Sequence, residues 1–179
     1  DHLGAAVTLR DPSDFPEALA ALRGTVRLDP ASCPVAVREA LIACEVTEAQ
    51  DPCLIPKARK NAAELEGTRA AHLRDGAAMV RFLAWLDRQA PGSLTEIDVV
   101  TTLEGCRAAT NALRDISFET IAGAGPNGAI VHYRVTEGTN RPVREGELLL
   151  VDSGGQYVDG TTDITRTVAV GDVGGEECA

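Results

Sequence analysis

Aromatic side chains are scarce in this chain of 179 residues: three Phe, two Tyr and one Trp, 3% of the total. Any core must therefore be built from Leu, Val, Ile and Ala. Positive charge is also short. Lys and Arg number 17 against 27 Asp and Glu, which gives a formal net charge of −10 and a pI near 4.7. Proteins grip nucleic acid by replacing its counterions with Lys and Arg. No basic block is present, so a nucleic-acid partner is not expected. Surplus carboxylates mostly confer solubility, although a few could hold a cation. No apolar run reaches the ~20 residues that cross a bilayer, so no membrane association is expected. The five cysteines, Cys33, Cys44, Cys53, Cys106 and Cys178, include no CxxC pair and are odd in number. They read as reduced thiols of a cytoplasmic protein rather than as a disulfide framework. An initiator Met is absent at Asp1, no signal peptide is visible, and the chain ends at Gly175-Glu-Glu-Cys-Ala179 straight after a strand-like run. The expectation is a fragment of a longer polypeptide.

What is present suits a soluble globular protein, with 44% hydrophobic and 25% charged residues. The length fits one domain, or the tail of one joined to the head of another. Residues 13–23 predict a helix capped by Ser13 or Asp14 and stopped by Gly24. Thr25 to Leu28 predicts a strand, and Pro34 opens a helix over Val35 to Cys44. This alternation suggests the end of an α/β domain. Asp51-Pro52 and Ile55-Pro56 favour extended backbone and place a boundary between residues 1–51 and 52–179. A helix is expected from Lys57 to about Gln89, with Met79, Phe82, Leu83 and Leu86 as its apolar stripe. Ser93 and Glu96 have capping-box spacing ahead of a second helix reaching about Leu113, with Ile97, Val100 and Leu103 as apolar positions. Strands are expected over Ile116 to Ala122 and Ala129 to Val135, around a glycine-rich loop from Gly123 to Gly128. That loop lacks the spacing and Lys of a phosphate-binding loop. A polar loop follows from Thr136 to Glu145, then a buried strand, Leu148 to Val151.

The chemistry concentrates in Leu149-Leu-Val-Asp-Ser-Gly-Gly-Gln-Tyr-Val-Asp-Gly-Thr-Thr-Asp-Ile-Thr-Arg-Thr-Val168. Asp152 ends an apolar strand, where a lone ionised carboxylate is costly. Asp159-Gly160 is a tight-turn pair, and Asp163 to Thr167 alternates as a strand should. A hairpin would bring Asp152 and Asp163 towards one pocket, and Gly154-Gly155 permits a bulge that adjusts the facing of Asp152. Two such carboxylates repel unless a proton or cation lies between them, and a hard or borderline divalent metal suits oxygen ligands. On spacing alone the simpler reading is that each Asp is salt-bridged, with Arg166 at hand, or caps a turn. His132 alone, between Val131 and Tyr133, reads first as a structural histidine. His72 reads as structural or surface-exposed. One of Thr161, Thr162, Thr165 and Thr167 could support a carboxylate.

The run from Asp152 to Thr167 closely resembles the metal-binding hairpin of Xaa-Pro aminopeptidases, within the creatinase-like, pita-bread metallopeptidase superfamily. Asn127-Gly-Ala-Ile-Val-His132-Tyr resembles the substrate-histidine loop of that family. Lys57-Ala-Arg-Lys-Asn61 and Gly67-Thr-Arg-Ala-Ala-His72-Leu-Arg-Asp-Gly76 resemble its first catalytic-domain helix. The resemblance implies an α+β fold: a partial pita-bread catalytic domain over 52–179, preceded by the tail of an α/β, non-catalytic N-terminal domain over 1–51. It implies two divalent metal ions, Mn²⁺ in most members, held by two Asp, one His and two Glu. Asp152 matches the ligand that chelates one metal, and Asp163 the ligand that bridges both. His132 matches the histidine that binds substrate or the tetrahedral intermediate. No histidine follows Asp163, and Glu176 and Glu177 lack the family's surrounding motifs, so three ligands are expected outside this chain. The implied activity is removal of an N-terminal residue that precedes proline, with peptides carrying proline second as partners and room for a homodimer in the intact enzyme. The fragment alone is expected to be inactive. Alternatives are a prolidase-like dipeptidase, a creatinase-like hydrolase, or a non-catalytic binding member of the superfamily. Retention of both Asp residues favours an enzyme over the binding member.

Overall fold

A computed structural model describes residues 3–175. His2, Glu176, Glu177 and Cys178 lie outside the described residues. The chain divides into two compact units at Lys60/Asn61.

In the first unit, Asp11 caps a 3-10 turn at Pro12–Asp14 by accepting from the Ser13 amide at 2.9 Å. Helix α1 (Phe15–Ala20) follows, shorter than the helix expected over residues 13–23 at both ends. Strands β1 (Gly24–Leu28) and β2 (Cys44–Glu48) pair in parallel, with Val26 opposite Val46. Parallel strands need a crossover, and helix α2 (Val35–Ala40) supplies it. The expected helix reaching Cys44 is thus too long. Its last residue opens a strand in which Cys44 and Val46 are half-buried while Glu45 and Thr47 face solvent. The proline-rich stretch also departs from extended geometry. Helix α3 (Leu54–Ala58) holds Pro56 in its first turn, where the missing N–H would have had no intrahelical partner.

The second unit opens with α4 (Ala62–Leu86). Asn61 accepts from the Glu64 amide at 2.9 Å, and Glu64 accepts from the Asn61 amide at 2.7 Å, a reciprocal capping box. This cap, not a proline, separates α4 from α3. After α5 (Glu96–Ala108) come β3 (Asp115–Ile116), β4 (Ile121–Ala124), β5 (Glu147–Ser153), β6 (Gly155–Gln156) and β7 (Ile164–Val170). Strands β4, β5 and β7 form an antiparallel sheet with β5 central, and β3 pairs with β6.

Strand alternation gives the sheet two different faces. Ala122, Ala124, Leu149 and Val151 point to one side and pack with Met79 and Phe82 of α4 and Val99 and Leu103 of α5. Leu83 and Leu86 pack at the margin of this core, so the stripe read on α4 is its inner face. On α5 the buried positions are Glu96, Val99, Leu103 and Arg107, a stripe that begins and ends with a charge and is displaced from Ile97 and Val100.

Three expectations fail here for physical reasons. The cap of α5 is Thr95 with Asp98, not Ser93 with Glu96. Asp98 accepts from the Thr95 amide at 2.8 Å, which frees Glu96 to turn inward. The strand expected from Ile116 to Ala122 is divided between β3 and β4. No strand forms over residues 129–135. A 3-10 helix covers Gly125–Ala129 instead, and His132 has φ +54, which a strand cannot hold.

Candidate metal centre

Asp152 lies in β5 directly opposite Thr165 of β7, and Ser153 lies opposite Ile164. Gln156 bridges to Thr161 in the same register, and Gly155 and Thr162 are joined by an amide-to-carbonyl bond of 2.9 Å. No residue is inserted between these pairs, so the bulge expected at Gly154-Gly155 is absent. The uninterrupted register puts Asp163, two residues before Thr165, on the same face as Asp152. That face is the one turned away from α4 and α5. Asp152 is half-buried and Asp163 exposed.

The two carboxylates interact. Burial, then the charge of Asp152 and a hydrogen bond shared with it, hold the Asp163 carboxyl above the ordinary carboxylate range. Thr165 donates its hydroxyl to Asp152 Oδ1 at 2.8 Å, so among the four threonines Thr165 is the one that supports this carboxylate. Arg166 is not the partner of either Asp; it donates to the Thr165 carbonyl at 2.7 Å. The donor chemistry fits a hard divalent cation, because a positive charge would relieve the mutual repulsion. Among the described residues, no group of three or more His, Cys, Asp or Glu is placed to hold a metal.

The 3-10 helix that precedes His132 packs against β5. A Cβ on Gly128 would lie 3.6 Å from Leu150 Cβ, and Leu150 shares its face with Asp152. A Cβ on Gly123 would come within 2.8 Å of the Gly128 backbone. These two glycines, read from sequence as turn formers, let the segment lie flat on the carboxylate-bearing face. His132 emerges four residues later, solvent-exposed and in left-handed backbone. His72, on α4, is exposed and bonds back to the Thr68 carbonyl at 2.8 Å. A pocket of about 490 Å³ lies elsewhere, between the end of α4 and the end of β7 near Leu83, Pro91 and Val170.

A buried network under the hairpin was not legible as such in the sequence. Asp75 of α4 and Arg107 of α5 are both fully buried. Arg107 donates from Nε and Nη2 to the two Asp75 oxygens at 2.7 and 3.1 Å. The Tyr157 hydroxyl donates to Asp75 Oδ1 at 2.6 Å. Burial pushes Asp75 up, but hydrogen bonds from Arg107 and Tyr157 and the Arg107 charge outweigh it, so its carboxyl lies below the usual range. The Tyr157 phenol is pushed well above its ordinary range, chiefly by burial and then by its hydrogen bond to Asp75 and the Asp75 charge. Beside it, Arg74 forms a two-pronged bridge to Asp159 at 3.0 and 2.9 Å and lies 5.1 Å from the Tyr157 ring centre. The turn between Asp152 and Asp163 is thus tied to α4 through Tyr157 and Asp159. The available signal was an Asp at the helical spacing of Ala71, Ala78, Met79 and Phe82, all buried.

The model of metallopeptidase family M24 matches residues 66–177. Aminopeptidase P1 of Lotus japonicus is 43% identical over 166 residues, covering 80% of this chain and 25% of its own length. Aminopeptidase P2 of Arabidopsis thaliana is 49% identical over 121 residues, 66% of this chain and 17% of its own. The chain thus spans about a quarter or less of these curated relatives. Among solved structures, an X-prolyl aminopeptidase from Caenorhabditis elegans, described as a cytosolic enzyme with a di-nuclear active site, superposes with a TM-score of 0.75 at 33% identity. The match covers 85% of this chain and 25% of that one. The prolidase of Pyrococcus furiosus shares the fold, with a TM-score of 0.71 at 21% identity, over 96% of this chain and 49% of that one. The α+β architecture is accordingly a partial pita-bread domain. No helix among the described residues is long and apolar enough to cross a membrane.

Proposed function

Because this chain belongs to metallopeptidase family M24, we propose that it carries the first part of a Xaa-Pro aminopeptidase site. In this reading Asp152 and Asp163 hold two divalent metal ions, Mn²⁺ by resemblance, and His132 contacts the substrate. Residues 1–51 form the end of a non-catalytic N-terminal domain. The observation that carries the reading is the shared face and mutual repulsion of Asp152 and Asp163 on one hairpin. Such a pair is costly without a counter-charge and useful with one.

When bound, such ions lower the pKa of a water and polarise the scissile carbonyl. The chain's own residues do the rest. Asp152 and Asp163 supply anionic oxygen from adjacent strands, and Thr165 fixes the orientation of Asp152 by its hydroxyl bond. His132 stands ready to donate a proton or hydrogen bond to the substrate carbonyl or to the oxyanion that replaces it. Its exposed placement leaves it open to a peptide arriving from solvent. The substrate is a peptide with proline in second position, and the protein acts in the cytoplasm.

The test uses the longest natural polypeptide that carries this sequence. His132→Ala should lower turnover of a peptide with proline second by about 10²-fold or more, within the range for a lost proton-transfer or oxyanion group, with metal content near normal. Asp152→Asn with Asp163→Asn should abolish metal binding. Full metal content in the double Asp variant, or loss of metal from His132→Ala, would contradict these assignments.

A further inference from the structure

We propose that Glu96 is a positioning residue that fixes the backbone of the His132 loop, a role that rests on the reading of His132 as the substrate-contacting group. Glu96 is fully buried at the start of α5. Every side-chain hydrogen bond the structure gives its carboxylate comes from one segment. Oε1 accepts from the Ala124 amide at 2.8 Å and from Asn127 Nδ2 at 2.9 Å. Oε2 accepts from the Tyr133 hydroxyl at 2.9 Å and from Asn127 Nδ2 at 3.1 Å. Ala124 and Asn127 precede His132, and Tyr133 follows it directly, so the carboxylate grips the loop on both sides of the histidine.

The surroundings reinforce the grip. Asn127 Nδ2 also lies 2.8 Å from the Tyr133 hydroxyl. Arg141 donates to the Ala124 carbonyl and forms a two-pronged bridge with Glu147, at 3.0 and 2.6 Å. His132 itself sits in left-handed backbone without being glycine, a conformation that persists only where its neighbours over-determine it. A buried carboxylate is expensive unless each lone pair is used. Glu96 meets that condition through the loop, so its charge and the loop geometry are mutually dependent. Gln at this position keeps one acceptor oxygen and turns an NH₂ towards donors, so it should loosen the grip without changing shape.

The experiment has two readouts in the longest natural polypeptide that carries this sequence, loaded with Mn²⁺. The first is hydrogen exchange of a peptide spanning 125–134, read by mass spectrometry. In Glu96→Gln its exchange should quicken about ten-fold, the size of one lost hydrogen bond to a charged group, while peptides from α4 and β5 stay unchanged. The second is a double-mutant cycle on kcat/KM with a proline-second peptide. Glu96→Gln should cost about ten-fold in the wild-type background, but less than about two-fold once His132 is Ala, with metal content constant. Should Glu96→Gln fail to fold, Tyr133→Phe, which deletes a single hydroxyl, carries the same pair of measurements with a smaller effect. Unchanged exchange over 125–134 would overturn the clamp. Equal kinetic losses in both backgrounds would overturn its action through His132. If His132→Ala alone leaves kcat/KM unaltered, the substrate role of His132 fails, and the positioning role of Glu96 falls with it even where the exchange data show a clamp.

Discussion

Replacing Asp75 by Ala should be among the most damaging single changes in the second unit. The substitution leaves the Arg107 guanidinium, fully buried, without its counter-charge, and strips the Tyr157 hydroxyl of its acceptor. Removing one partner of a buried ion pair costs about 3–5 kcal/mol, and an orphaned buried hydroxyl adds about 1–3 kcal/mol. These overlap, because both include desolvation of groups facing the same cavity, so the working value is about 4 kcal/mol. Against a typical domain stability of about 5–15 kcal/mol, the variant loses a large share of its margin. With an m-value of about 2 kcal/mol/M in urea, the midpoint should fall by about 2 M. The assay is urea unfolding at pH 7, followed by circular dichroism, with Arg107→Met as the second arm. In the Arg107→Met background no buried cation remains to be stranded, so Asp75→Ala should cost less than half as much. A loss below about 1 kcal/mol, in the range of ordinary exposed pairs, or full additivity with Arg107→Met, would refute the network as described. The same pair predicts an acid limb. The folded pKa of Asp75 is depressed below 3.8, so its contribution is complete above the unfolded value and fades as pH falls through the folded one. Asp75→Asn should flatten that part of the stability profile.

Gly123→Ala should destabilise by about 1–3 kcal/mol, the cost of overpacking, because its methyl would meet Gly128 backbone at 2.8 Å; thermal unfolding checks this, and a neutral result would mean the 3-10 helix yields freely. Arg74→Ala should cost no more than about 1 kcal/mol in the same assay, since its bridge to Asp159 is partly solvated. Asp163→Asn should stabilise the metal-free chain slightly, by removing a carboxylate that Asp152 repels, while weakening Mn²⁺ binding measured by calorimetry; destabilisation without metal would contradict the repulsion. Residues 1–179 alone should bind Mn²⁺ weakly and release no N-terminal residue from proline-second peptides above buffer rate, because affinity follows ligand number and a preformed site; metal-dependent turnover by the purified chain would overturn the expected ligand count.

The primary structure by itself determined the elements that depend on neighbouring residues. The stripe of Met79, Phe82, Leu83 and Leu86 has helical period, so its inward face follows from spacing alone. The alternation from Asp163 to Thr167 and the Asp159-Gly160 pair are likewise local signals of a hairpin. Whether Asp152 and Asp163 share a face depended on the register, because a one-residue slip turns a strand's side chains over, and the pairing of Asp152 with Thr165 decided it. Other features depended on partners distant in the chain. Thr95 and Ser93 are both good caps, and the choice between them released Glu96 to meet Ala124, Asn127 and Tyr133, 28 to 37 residues away. Residues 129–135 read as a strand from their apolar content, but Asn127 and Tyr133 are anchored on one buried carboxylate, and the segment follows a 3-10 helix that ends at Ala129 and holds His132 in left-handed backbone. Cys44 left its helix because β1 offered a parallel partner 20 residues upstream. Asp75, Glu96 and Arg107 occupy positions that helical spacing reserves for apolar residues. A charge there is tolerated only when tertiary structure brings its partner, and a linear pattern of hydrophobicity cannot say whether the partner will arrive.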